Sequence, residues 1–136
     1  MNDVNRQVIE QFRANGGNVI SGRFAGSRLL LLTTKGARTG LERVKPMMFY
    51  EDGGRYVVFA SKAGAPTNPA WYHNLVAHPD VTVALGADSF PATATVTAAE
   101  ERRRIWDAAA AEFPFLNDIQ ARTSRKLPVV VLARKT

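Results

Sequence analysis

Lys35, Arg38, Arg43 and Lys45 crowd into one short stretch, Thr33–Pro46 (TTKGARTGLERVKP), opposed within it by Glu42 alone. An apolar run precedes it, Leu29 to Leu32, and another follows, Met47 to Tyr50. Two strands joined by a glycine-bearing basic loop hold several cations and free backbone N–H groups in one place. That is the chemistry of gripping an anion such as a phosphate. The plain alternative is a solvated hairpin with ordinary surface charge.

Two further segments could complete a binding site. Ala60-Ser61-Lys62-Ala63-Gly64 falls at the end of an expected strand, where small residues let a ligand approach the backbone and Ser61 and Lys62 add a hydroxyl and a cation. Asn68-Pro69-Ala70-Trp71-Tyr72-His73-Asn74-Leu75 offers aromatic walls for a planar ring, and Asn74, three residues after Trp71, would share its side of a helix. Each segment alone also reads as a loop or a core-packing helix. Together they are more specific.

Other chemistries lack support. Neither G-x-G-x-x-G nor G-x-x-x-x-G-K-[ST] occurs, and the hydrolase elbow G-x-S-x-G is missing. His73 and His78 are five residues apart, which is not the i, i+4 spacing of a zinc pair on a helix, so no metal site is expected. There is no cysteine for a disulfide, thiolate ligand or thiol nucleophile. No acid–base carboxylate pair stands out. An enzyme of this composition would leave the reaction to a cofactor and itself supply grip and orientation, so no catalytic side chain is assigned.

The elements that must position these residues can be read from pattern. With 136 residues, one domain over 1–136 is expected. A hydrophobic fraction of 46% and a charged fraction of 22% fit an ordinary globule with a core. The net charge of +6 attracts anions of any kind, nucleic acid included. Further cations group at Arg102–Arg104 and at Arg122, Arg125 and Lys126. The polar, amphipathic start does not read as a signal peptide, and no apolar run suits a membrane span. A cytoplasmic protein is expected.

A helix over about 3–14 follows from Val4, Val8 and Phe12 with Ile9 beside them, ended by Gly16-Gly17. Its apolar stripe should cover the core; a lid or a membrane contact is the alternative. Strands are expected over Arg28–Thr34, Arg43–Tyr50, Arg55–Ala60, Val81–Leu85, Ala92–Val96 and Leu127–Ala133. Asp52-Gly53-Gly54 and Gly86-Ala87-Asp88-Ser89 turn two hairpins. Pro69 opens a short helix that Pro79 ends. Thr97-Ala98-Ala99-Glu100 reads as a capping box for a helix reaching about Phe113, with Ile105, Trp106, Ala109 and Phe113 inward, and a short helix over Phe115–Arg122 follows Pro114. About six antiparallel strands, mostly in hairpins, with three or four helices favour an α+β barrel decorated by helices over a Rossmann fold.

At this point TTKGARTGLERVKPMMFYEDGGRYVVFASKAG, then NPAWYHNLVAHPDVTV, resembles the deazaflavin-dependent nitroreductase family of actinobacteria. EFPFLNDIQARTSRKLPVVVL is similar to that family's C-terminal end, and Arg13–Gly17 fits as well, so the resemblance spans most of the chain from about Leu29. It implies a split β-barrel related to FMN-binding oxidases that uses the 5-deazaflavin coenzyme F420. Family members pass a hydride from the reduced coenzyme to quinones, nitroaromatics or activated enones. The coenzyme's phosphate and oligoglutamate tail make it a polyanion, a fitting partner for the basic loop.

Carried over by position, the resemblance implies cofactor contacts at Arg38, Thr39, Arg43 and Pro46, then Ser61, Lys62, Ala63 and Gly64, then Trp71 and Asn74. Arg38, Arg43 and Lys62 would hold phosphate and tail charge. Pro46, Met48 and Trp71 would shape the walls. The family's basic pair appears as Ala37-Arg38, a lost cation for which Lys35 or Lys45 could compensate. Where the family's best-known nitroreductase lines its substrate pocket with tyrosines, this chain has Phe113, Leu116 and Ile119, which favours a hydrophobic, electron-poor acceptor. The alternatives are an FMN-dependent split barrel and a non-catalytic module for an anionic ligand or nucleic acid. Monomer and homodimer both fit, and a peripheral position at the inner face of the cell membrane is the second placement.

Overall fold

The computed structural model describes residues 3–18 and 28–135; of Asp3, Val4 and Ala63 it describes the backbone alone. Among these residues the order is α1 (Asp3–Ala14), β1 (Leu29–Lys35), β2 (Glu42–Met48), β3 (Tyr50–Asp52), β4 (Arg55–Phe59), a 3-10 turn (Lys62–Gly64), α2 (Ala70–Ala77), β5 (Asp80–Leu85), β6 (Asp88–Val96), α3 (Ala99–Glu112), α4 (Phe115–Ala121) and β7 (Val129–Arg134). All strand pairs are antiparallel, in the order β2-β1-β5-β6-β7-β4-β3. β2 and β3 are the two ends of that order, yet one residue, Phe49, separates them in the chain. The sheet must therefore curl until its edges nearly meet, which makes the split β-barrel.

The leucine run of β1 is continuous because both of its faces are covered. Leu30 and Leu32 join the inner core with Val58, Val83, Phe90, Val130 and Leu132. Leu29 and Leu31 lie under Val8, Ile9 and Phe12 of α1. The stripe of α1 thus covers core, as its spacing predicts. On the other flank Val57, Val129 and Val131 lie under Ile105, Trp106 and Ala109 of α3 and Leu116 of α4. α2 packs its buried Leu75 into the inner core.

Three expectations need correction. The single strand over Arg43–Tyr50 is two, because Phe49 turns into the inner core, 6% exposed, with its ring edge-on to Tyr56. This makes seven strands among the described residues where about six were expected. β6 starts at Asp88, before Pro91: β7 reaches only as far as Ala92, so a residue without an N–H is tolerated beyond it. Thr97 does not cap α3. Its hydroxyl donates to the Val129 carbonyl at 2.9 Å, and the N-cap is Ala98 with no side-chain bond. The β3–β4 turn matches expectation: Gly53 and Gly54 sit at φ +55° and +84°, the left-handed pair that a tight two-residue hairpin demands.

Candidate active site

The seam between β2 and β3 opens into a cavity of about 270 Å³. Its walls are apolar and come from distant parts of the chain. Pro46 and Met48 come from β2, Trp71 from α2, Phe59 from β4, and Phe113, Phe115 and Leu116 from the α3–α4 corner. Ser61, Lys62 and Lys45 supply the polar part. Both lysines are exposed, so their stems line the wall while their charges reach solvent. A second cavity of about 360 Å³ lies where α1 meets Val44, and it holds none of the predicted site residues.

The basic loop has a built interior. Gly36 N–H donates to the Leu41 carbonyl at 2.8 Å, and Gly40 N–H returns to the Gly36 carbonyl at 2.9 Å. Thr39 Oγ1 accepts from Leu41 N–H at 3.2 Å. A Cβ on Gly36 would fall 2.6 Å from that oxygen, so the turn closes only around glycine. Thr39 therefore shapes the loop. Asn74 anchors it: the Ala37 N–H donates to Asn74 Oδ1 at 3.0 Å, and Asn74 Nδ2 donates to Thr34 Oγ1 at 3.2 Å. Asn74 and Thr34 are both buried, at 9% and 2% exposure. Trp71 lines the cavity, and the Asn74 amide bonds Ala37 and Thr34 of the basic loop.

Arg38 lies exposed in the loop. Arg43 and Lys45 alternate along β2 on the face that carries Met47, and Thr34 stands opposite Arg43. Lys45 lines the cavity and Arg43 stands one pleat further out. Lys45 thus takes the nearer position, and the alternation of strand β2 is the signal that ranks the two.

The second predicted segment is the 3-10 turn Lys62–Gly64. Lys62 sits at φ +46°, a left-handed conformation costing a residue with a side chain about 1–2 kcal/mol. Its Nζ donates to Thr67 Oγ1 at 3.2 Å. Gly64, at φ +82°, is pressed on α4: a Cβ there would meet Arg122 Cβ at 2.9 Å and the Ile119 carbonyl at 3.1 Å. Ile119 accordingly packs against the outer core and backs this turn, and it is not among the residues that line the cavity. Phe115, which the sequence reading left out, lines the cavity at its rim, 40% exposed, a position that a helix beginning after Pro114 leaves on its outer side.

In sequence Arg125 groups with Arg122 and Lys126 and has no assigned role. In the fold its guanidinium donates to the carbonyls of Ala60 (3.1 Å), Ser61 (2.9 Å) and Ala65 (3.1 and 3.0 Å) and to Asn68 Oδ1. Asp52, the carboxylate held between two arginines, is not among the residues that line the cavity. Arg104, and then Arg55, hydrogen-bond Asp52 and hold its carboxyl down at about 2.

Of the predicted residues, Pro46, Met48, Ser61, Lys62, Trp71, Phe113 and Leu116 meet at the cavity. Thr39, Gly64 and Asn74 support the loops around it, and Arg38 and Arg43 stand exposed on the basic arm. Among the described residues lining the cavity, the lysines are the only titratable side chains, with no carboxylate, imidazole or phenol. Such a site can bind, exclude water and attract an anion. An apolar slot with aromatic walls, a hydroxyl and two cations fits a planar ring system bearing an anionic arm.

The family model described as F420H(2)-dependent quinone reductase matches residues 4–134. The F420H(2)-dependent quinone reductase Rv1261c of Mycobacterium tuberculosis is 39% identical over 109 residues, covering 78% of this chain and 73% of its own. The solved structure of an F420-H2 dependent reductase, FDR-A, superposes with a TM-score of 0.71 at 38% identity, over 77% of this chain and 93% of its own. Another solved structure, described as a domain-swapped dimer, gives a TM-score of 0.73 at 34% identity, over 91% and 90%.

Proposed function

Because this chain belongs to the F420H(2)-dependent quinone reductase family, we propose that the seam cavity is where it reduces a lipophilic quinone. The protein is an F420-dependent oxidoreductase. The reduced deazaflavin, when bound, supplies the hydride. The chain's own residues do the rest. Trp71, Pro46 and Met48 wall the ring, and Ser61 and the small residues to Gly64 let it approach the backbone. Lys45 and Lys62, with Arg43 and Arg38 further along the arm, meet the phosphate and the acidic tail. Phe113, Phe115 and Leu116 exclude water and hold the acceptor against the ring. Among the described residues no carboxylate, imidazole or phenol lines the cavity, so the acceptor's protons come from solvent or from the lysine ammonium groups at its edge.

The observation that carries this reading is the junction, in one cavity, of an aromatic apolar slot with Lys45 and Lys62. A quinone suits it better than a nitro compound, because no phenol lines the slot to orient a nitro group. No described helix is long and apolar enough to cross a membrane. The similarity to a domain-swapped dimer favours a homodimer.

A fluorescence titration with F420, with FMN in parallel, tests the reading. Saturable, salt-sensitive binding of F420, well tighter than FMN, is the expected result, and Arg43→Ala should weaken it and reduce its salt dependence. Tighter FMN binding would move the protein to the flavin branch. An unchanged affinity and salt response in Arg43→Ala would remove Arg43 from the arm.

A further inference from the structure

Arg125 is 65 residues from Ala60 in the chain and 64 from Ser61, yet its guanidinium is committed to the segment that begins there. It donates to three backbone carbonyls, Ala60, Ser61 and Ala65, and to the Asn68 side chain, all in the loop that contains Ser61 and Lys62. In a trans peptide the carbonyl and the following N–H point in opposite directions, so drawing the Ala60 and Ser61 carbonyls to the cation turns the Ser61 and Lys62 N–H groups away from it, while the peptide after Ala65 leads into Pro66 and has no N–H. Arg125 is itself held: Gln120 Nε2 donates to its carbonyl at 2.7 Å, Gln120 Oε1 accepts from Leu127 N–H at 3.1 Å, and Arg125 N–H donates to Thr123 Oγ1 at 3.1 Å. Gln120 lies on α4, the helix that also presents Leu116 to the cavity and backs Gly64.

We propose that Arg125 is the positioning residue of this site, a cation that binds no ligand but fixes the Ser61–Gly64 turn in its cofactor-receiving shape and ties that turn to the acceptor-side helix. The assignment rests on the reading of the cavity as an F420 site. It also accounts for the strained Lys62: a left-handed side chain at that position persists when the carbonyls around it are over-determined. Lysine could not replace the arginine. One ammonium is a point donor, while the acceptors here surround a planar fork.

The test pairs Arg125→Lys with Arg125→Ala in the full chain. Hydrogen exchange of the ligand-free proteins reads the loop directly. Exchange of the Gly64 and Ala65 amides, bonded to the Ser61 and Lys62 carbonyls, should rise while that of β1 and β7 stays at the wild-type level. F420 should bind Arg125→Lys about tenfold to a hundredfold more weakly. Millimolar guanidinium should restore part of the affinity of Arg125→Ala where sodium chloride of equal ionic strength does not. Wild-type exchange at Gly64 and Ala65 in Arg125→Lys would overturn the proposal, as would wild-type F420 affinity in that variant. Uniformly raised exchange through the core would also overturn it, by making Arg125 a general stability residue. If the wild-type protein itself fails to bind F420, the cavity reading falls, and the exchange arm still decides whether Arg125 orders the turn.

Discussion

Asn74→Ala should disarm the basic loop from a distance, and the cost can be worked out from its bonds. The substitution removes the acceptor of the Ala37 N–H and the donor to Thr34 Oγ1. Two such bonds are worth about 1 kcal/mol each. Ala37 is exposed, so water can take its N–H, but the Thr34 hydroxyl is 2% exposed and loses its partner, adding about 1 kcal/mol or more. The expected loss is about 3 kcal/mol. Thr34→Val removes the hydroxyl and keeps the Ala37–Asn74 bond, so it should cost about 1 kcal/mol. In the double variant the Asn74–Thr34 bond is lost once instead of twice and no hydroxyl is left stranded, so the total of about 2 kcal/mol should fall short of the sum by about 2 kcal/mol. Urea unfolding of the four proteins measures this cycle. F420 titration supplies the functional half: Asn74→Ala should bind about tenfold more weakly as the loop bearing Arg38 loosens, and Thr34→Val should stay near wild type. Strict additivity, or a destabilised Asn74→Ala with wild-type F420 affinity, would refute the anchoring role.

Acid should weaken the protein through Asp52. Its folded pKa is lowered from 3.8 to about 2, so the stability it contributes is full above about pH 4 and is lost as pH falls through 2. Solvent screens the pair, since the Arg104 side chain is 55% exposed, leaving about 1 kcal/mol. Asp52→Asn should be less stable by that amount at neutral pH, with a flatter urea-midpoint profile between pH 4 and 2 and unchanged F420 affinity. Leu116→Ala should cost about 2–4 kcal/mol, because the residue is 3% exposed in the outer core. The same change enlarges the acceptor wall, so the KM for a compact quinone should rise while the F420 dissociation constant stays within about twofold, measured by steady-state kinetics and titration.

The strand content was readable because apolar runs and glycine turns are local signals. The Leu29–Leu32 run, the Val129–Leu132 run and the Gly53-Gly54 turn all stand where pattern puts them. The break at Phe49 was not readable, since an apolar residue continues a strand in sequence and departs from it only when an inner core pulls its ring away. Side-chain commitments escaped for a similar reason. Thr97 had an equal local claim to cap α3, but the Val129 carbonyl, 32 residues on, took the hydroxyl. Asn74 shares a helix with Trp71, yet which groove each enters depends on the loop after β1. Arg125 stood in the sequence as one of a cluster of cations, and the carbonyls it gathers become neighbours only once the barrel has curled.

The seam explains why the site lies where it does. A curled sheet that does not close leaves two edges, and an edge strand exposes unpaired backbone that invites association with other chains. β2 is such an edge, and it alternates Arg43 and Lys45, the charged pattern by which edges are kept apart. The same failure to close leaves the space beside Met47, Met48 and Phe49 that becomes the cavity. Edge protection and anion capture are then two consequences of one placement of charge. The solvated-hairpin reading and the anion-site reading of Thr33–Pro46 therefore do not compete. A barrel with a full hydrogen-bonded seam would need neither the cations nor the opening, and would have no comparable place to bring a polyanionic coenzyme against an apolar acceptor.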